Sequence, residues 1–231
     1  IELPSKGLMY PEDNPLSSGK VEIKYMTAKE EDILTNSSFI KKGNVLDKLL
    51  ESVIISKIDI DDLIVGDKNA LLIATRILGY GSQYEVEING EIENIDLSQL
   101  ENKEFDSSQI TQGLNEFNFT LPHTDTPITY KILTGRDEKK LEKEIEGIKR
   151  IKKDSNPSLS TRLKYIITSV KGDIERKSIN EFVDVYLLAK DSKALRDHIK
   201  ETQPDVDLNV ILESGSEVRI PIGLGFFWPD A

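Results

Sequence analysis

The chain has no cysteine and only two histidines, two methionines and one tryptophan in 231 residues. The lack of cysteine excludes disulfides and thiolate metal sites, and it fits a reducing compartment. The two histidines, His123 and His198, lie far apart in sequence and offer no visible ligand pair. No apolar run approaches the roughly 18 residues that a membrane-spanning helix needs. No secretory signal pattern opens the chain, and the missing initiator Met leaves its first residues open to loss or processing. Basic charge is in deficit: 30 Lys and Arg stand against 41 Asp and Glu, a net charge of −11. A field of that sign repels phosphate backbones and argues against nucleic acid as a partner.

No catalytic set is legible either. Gly79-Tyr80-Gly81-Ser82 is followed by no helix of the dinucleotide-binding kind and reads as a helix end. Asp59, Asp61 and Asp62 lack the glycine and the distal glutamate of a calcium loop and read as a solvated turn. Gly223-Leu224-Gly225 leads into aromatics, and Glu213-Ser214-Gly215-Ser216 is not a nucleophile elbow. The reading is of a non-enzyme without metal or cofactor. Arg76, on an apolar helix, is the one buried-charge candidate; it needs a carboxylate such as Asp67 or Glu51, or it snorkels outward.

What the chain does have is concentrated at its ends. Residues 1–18 contain Pro4, Pro11, Pro15, Gly7 and a Ser17-Ser18 pair, and read as an extended arm without regular structure. The last ten residues hold the only Trp, Trp228, with Phe226 and Phe227. Three aromatics on a fraying tail would be a solubility liability. The tail must therefore dock, either on its own domain or on another protein. Leu3, Pro4, Lys6, Tyr10, Phe226, Phe227, Trp228 and Pro229 are the candidate partner-binding residues.

Between the ends, periodicity predicts an α+β fold. Residues 1–19 form the arm, 20–82 a mainly helical unit, 83–134 an antiparallel β unit, 135–203 a second helical unit, and 204–231 a hairpin with the aromatic tail. Val21, Ile23 and Tyr25 alternate as in a strand. Thr27 and Glu30 have the spacing of a capping box. Asn44 is placed to cap a helix over 45–55, and Asp67 a helix ending at Gly79-Tyr80-Gly81. Gln83 to Ile88 alternates before Asn89-Gly90, a strong hairpin turn. Phe117 to Leu121 and Ile128 to Ile132 alternate again. Residues 136–153 carry a narrow stripe of Leu141, Ile145 and Ile148 on a charged helix, so most of it faces water or a partner. Its basic end, Lys149, Arg150, Lys152 and Lys153, reads as solvated. Ser158 or Ser160, Ser178 and Asp191 are candidate caps of three further helices. Val206 to Leu212 and Val218 to Ile222 read as a second hairpin that could share one sheet with the first.

The order of short motifs resembles one family. Leu3-Pro4-Ser5-Lys6-Gly7 with Tyr10-Pro11 is similar to the opening of the baseplate hub and hub-assembly proteins of T-even-like contractile-tailed phages. The similarity continues through Met26 to Leu34, Gly66-Asp67-Lys68, Arg76, Tyr80-Gly81, Pro204 to Asp207 and Phe226-Phe227-Trp228-Pro229. The resemblance implies a structural part of the tail baseplate, in the hub region of the virion, assembled in the host cytoplasm. Its arms would dock on other baseplate proteins of hub, wedge or tail tube, and on copies of itself if the assembly is symmetric. An assembly chaperone absent from the finished particle is the alternative. A cell-wall hydrolase is a third reading, which would need a paired-carboxylate or metal site. The chain departs from the family in one respect: where members often carry paired cysteines suggestive of a zinc ribbon, it has Ile88-Asn89-Gly90-Glu91 and Glu213-Ser214-Gly215-Ser216. The two hairpins would have to hold without metal.

Overall fold

A computed structural model describes residues 1–88, 91–151, 156–212 and 215–228. Local chemistry sets the first elements. Thr27 and Glu30 form the expected capping box, and helix α1 (Ala28–Leu34) starts there. A short α2 (Ser37–Lys41) is capped by Asn36. Helix α3 (Val45–Val53) buries Val45, Leu49, Leu50 and Val53 on one face. Helix α4 (Val65–Tyr80) is the central rod, with buried residues on several sides. Strands β1 (Gln83–Ile88) and β2 (Glu91–Asp96) pair antiparallel, in a register that closes on the predicted Asn89-Gly90 turn. That turn lies outside the described residues, as do Lys152, Lys153, Glu213 and Ser214.

The α+β class holds, with one change of arrangement. The hairpins do not share a sheet: β1 and β2 form one, and β6 (Asn209–Ile211) and β7 (Glu217–Arg219) form another. A third sheet has the order β3 (Phe117–Leu121), β4 (Thr126–Tyr130), β5 (Ile167–Val170), all antiparallel. β5 follows helix α6 (Ser158–Ile166) without a break. Its sequence, Ile-Thr-Ser-Val, is too short to show a clear period. The strand forms because β4 offers it an edge. The expected strand over 21–25 shrinks to a single bridge, Ile23 to Ile54, because its neighbour is the end of α3 and only a short extended stretch is available to pair.

Helix α5 (Gly135–Ile151) is fixed at its start. Gly135 donates its N–H to Leu63, and Thr134 bridges Ile64. The acidic turn at Asp59, Asp61 and Asp62 has a structural use here. Asp59 caps a short 3-10 turn, and the three carboxylates receive Arg136 and Lys139 of α5. Helix α7 (Arg176–Glu181) runs into a π-helical turn at Phe182–Tyr186. Helix α8 (Ala189–Thr202) follows, with Asp191 buried inside its first turn rather than capping it.

The buried apolar residues form two cores. The first draws on residues 3–97 and 206–227, together with Ile132. The second draws on Leu121 to Leu195. Phe117 packs against both. Ile132 belongs to the first and its neighbour Leu133 to the second, so the strand leaving β4 threads between them.

The first segment departs most from expectation. Residues 1–18 are not an extended arm. They fold as consecutive turns, with Lys6, Leu8 and Tyr10 each donating an N–H to a carbonyl three residues back. They end in a 3-10 turn, Pro15–Ser18, capped by Asn14. Leu3, Met9, Tyr10 and Leu16 all enter the first core. Four apolar side chains in sixteen residues gain more from burial than a solvated arm would retain. The last segment folds likewise: Leu224–Phe227 is a 3-10 turn with Phe226 and Phe227 buried.

Candidate functional site

Helix α4 gathers segments that are far apart in sequence. It begins at Val65, two residues before the expected cap, so Asp67 falls on its third residue and faces inward. Asp67 is fully buried. Its Oδ1 accepts the Ser5 N–H at 2.9 Å, and its Oδ2 accepts the Ser5 hydroxyl at 2.6 Å and the Tyr10 hydroxyl at 2.5 Å. The Tyr10 oxygen in turn accepts the N–H of Ile64 at 3.1 Å. All the donors to this carboxylate are neutral. Burial pushes the Asp67 carboxyl above its ordinary value; the hydrogen bonds from Ser5 and Tyr10 oppose that shift, and the charge of Asp205 adds to it. Burial and the Asp67 charge push the Tyr10 hydroxyl up in turn.

One residue earlier, Gly66 lies against the chain at Pro204 and Asp205. A Cβ at Gly66 would sit 2.0 Å from the Pro204 carbonyl oxygen. Asp205 is buried as well, accepting the N–H of Val206 at 2.9 Å and the side-chain amide of Asn69 at 3.0 Å. Gly7 performs a similar service in the first segment, where φ is +77° and the Ser17 carbonyl oxygen would stand 2.3 Å from an added Cβ.

At the far end of α4, Arg76 is buried at 2% exposure. Its guanidinium donates to the carbonyls of Phe226 and Gly81 at 3.1 Å and of Gln83 at 3.4 Å, and it lies over the Tyr80 ring. The expectation that Asp67 would pair with it fails: two and a half helical turns separate the two, and Asp67 is taken by the first segment. Phe226 then packs on Tyr84 at 5.2 Å and edge-on to Phe227 at 5.5 Å. One helix thus holds the first segment by a carboxylate and the last by a guanidinium.

Of the candidate partner-binding residues, Leu3, Tyr10, Phe226 and Phe227 are buried in this chain's own first core, and Pro4 is buried beside Leu3 in sequence. Lys6 is exposed, with its ammonium 5.8 Å from the Phe105 ring. Trp228 is half-buried against the first core. Pro229 lies outside the described residues. The residues that sequence reasoning missed are Ser5, Asp67 and Asp205 acting as one network. A partial signal was present: an Asp on an apolar helix needs donors once it is buried, but Ser5 and Tyr10, 62 and 57 residues away, are not marked out by any local pattern.

A second feature lies where the two cores meet. A cavity of about 310 Å³ is lined by Met9, Phe105, Phe117, Tyr130, His198 and Ile199, among others. His198 stacks on Phe119 at 4.5 Å and meets Tyr130 edge-on at 5.8 Å. Burial pushes its imidazole pKa down from the ordinary value, which favours the neutral ring. The backbone N–H of His123 and the Thr124 hydroxyl both donate to the buried Asp191 carboxylate at 2.8 Å, which ties the β3–β4 turn to α8. Among the described residues, no cluster of three or more His, Asp or Glu could hold a metal ion, and no helix is long and apolar enough to cross a membrane.

Compared with protein-family models, curated proteins and solved structures, the chain matches none.

Proposed function

We propose that the chain is a structural component of a contractile phage tail baseplate, in its hub region, holding neighbouring subunits during and after tail assembly. One observation supports this reading. Several of the motif stations that carry the resemblance, which run from residue 3 to residue 229, meet on one helix. Ser5 and Tyr10 meet Asp67, Gly66 meets Pro204, and Arg76 meets Phe226. On this reading they build the body of the subunit, and neighbours meet what that body leaves outside. Among the described residues of the candidate set, Lys6 and Trp228 are still available to them. Large apolar side chains with full or partial access to water, such as Ile92 and Ile211, are further anchors of the kind that interfaces bury.

Mass spectrometry of purified tails, with cryo-EM of the tail tip, tests the reading. Stoichiometric copies with density for this chain among the hub proteins are the expected result. Presence in assembly intermediates but absence from a complete baseplate would replace it with a transient assembly factor. Absence from both would end it.

A further inference from the structure

We infer that residues 1–18 form a strap that closes and opens on helix α4 with the charge state of Asp67. Closing the strap seals that carboxylate among neutral donors and beside a second buried carboxylate, and opening returns it to water.

The geometry carries the argument. Three hydrogen bonds reach Asp67, and all three come from the strap: the Ser5 N–H, the Ser5 hydroxyl and the Tyr10 hydroxyl. Elsewhere the strap's polar contacts lie mostly at its two ends and on its outer side. Leu3 donates to Gly19, Val21 to Ile1, Gly113 to Leu8 and Ile64 to the Tyr10 oxygen; the Ile1 ammonium donates to Val21, the Asn14 side chain reaches Asp62, and Glu2 pairs with Lys20 at the surface. The charged and titratable groups facing Asp67 can be named element by element. The strap presents Tyr10. The 204–206 segment presents Asp205, 2% exposed, whose charge opposes that of Asp67. On α4 itself, Lys68 turns away to pair with Asp47, and Arg76 is committed to the carbonyls near the helix end. No cation among these lies on Asp67 to offset its burial, and a buried unpaired charge is costly.

The sign follows. A carboxyl whose value is raised in the closed state favours closure below its ordinary value. That advantage is lost as pH rises through the raised value. Between the two values the opening constant climbs about tenfold per pH unit, and above the raised value it levels off. Acid therefore tightens the strap, and neutral pH loosens it. This pH response needs no partner and stands apart from the baseplate reading.

Hydrogen exchange of the whole chain, read by mass spectrometry over a pH series and corrected for intrinsic rates, is the test. The expected result is exchange of strap amides by an opening that leaves α3 protected and rises with pH before levelling. Asp67→Asn should make that opening rarer and independent of pH. Asp205→Asn removes the neighbouring charge and should bring the levelling point to lower pH. Tyr10→Phe should raise opening at every pH while keeping the slope. Exchange of the strap only together with α3, or an unchanged pH slope in Asp67→Asn, would overturn the inference. So would an unmoved levelling point in Asp205→Asn, should Asp67→Asn fail to fold.

Discussion

At the scale of single residues, two buried carboxylates on neighbouring elements respond to pH in opposite directions. Glu30 is as inaccessible as Asp67. Burial pushes the Glu30 carboxyl up, but hydrogen bonds from Ser52, Thr27 and Lys24 outweigh it and hold the group well below the usual range. Its charge is met by the Lys24 ammonium at 3.0 Å, whereas Asp67 meets only neutral donors. Stability from a depressed carboxyl is present above the ordinary value and is lost as pH falls through the folded one. Glu30→Gln is therefore expected to cost about 1–3 kcal/mol at neutral pH and to flatten the loss of stability in acid. Urea melts of both proteins at neutral and acid pH check this; parallel acid limbs would show that another group sets the profile. The capping box was legible because Thr27 and Glu30 are three residues apart and the chemistry is local. The additional bond from Ser52, 22 residues on, was not, because it depends on how α3 lies against α1.

At the scale of elements, α4 is distinguished by what approaches it. The close approach of Pro204 explains why position 66 is glycine although its own φ needs none. Gly66→Ala is expected to destabilise by about 2–3 kcal/mol or more, since backbone must move to admit the methyl group. Gly147, exposed within α5, has no atom within 4 Å of an added Cβ. Gly147→Ala should stabilise by about 0.5–1 kcal/mol through helix propensity alone. Denaturation midpoints of the two variants should move in opposite directions, and a shared direction would rule out the close approach as the cause. Helix α1 was legible from its capping box, and α3 and α5 from their apolar period; Asn44 stands at the start of α3 but its side chain makes no capping bond. The first segment was misread because its prolines and glycines signal turns but do not say whether consecutive turns fold back onto a core. Asp191 was misread as a cap for a related reason: its acceptor role is real, but its donors come from the β3–β4 turn, 67 and 68 residues away.

At the scale of the whole molecule, the two cores share Phe117 and the 131–133 stretch, and α5 is tied to the 59–64 turn besides. Phe117 packs against both, and the Asn115 side chain both donates to and accepts from the backbone of Ile132. Trp228, the sole tryptophan, reports on the first core alone, while far-UV circular dichroism reports the helices of both. The two signals should coincide on thermal unfolding of the native chain. Phe117→Ala should lower stability by about 2–4 kcal/mol and separate them. Separate transitions in the native chain would mean that the cores fold independently. By itself the sequence determined the α+β class, the starts of α1 and α3, the first strand of the first hairpin and the net charge of −11, because these depend on period, capping and composition within a few residues. Only the tertiary structure decided that the hairpins stand in separate sheets, that both end segments close onto one helix, and that Asp67 and Arg76 never meet. Each of those outcomes depends on which distant donors, carbonyls and apolar faces compete for the same buried space, and no local pattern encodes that competition.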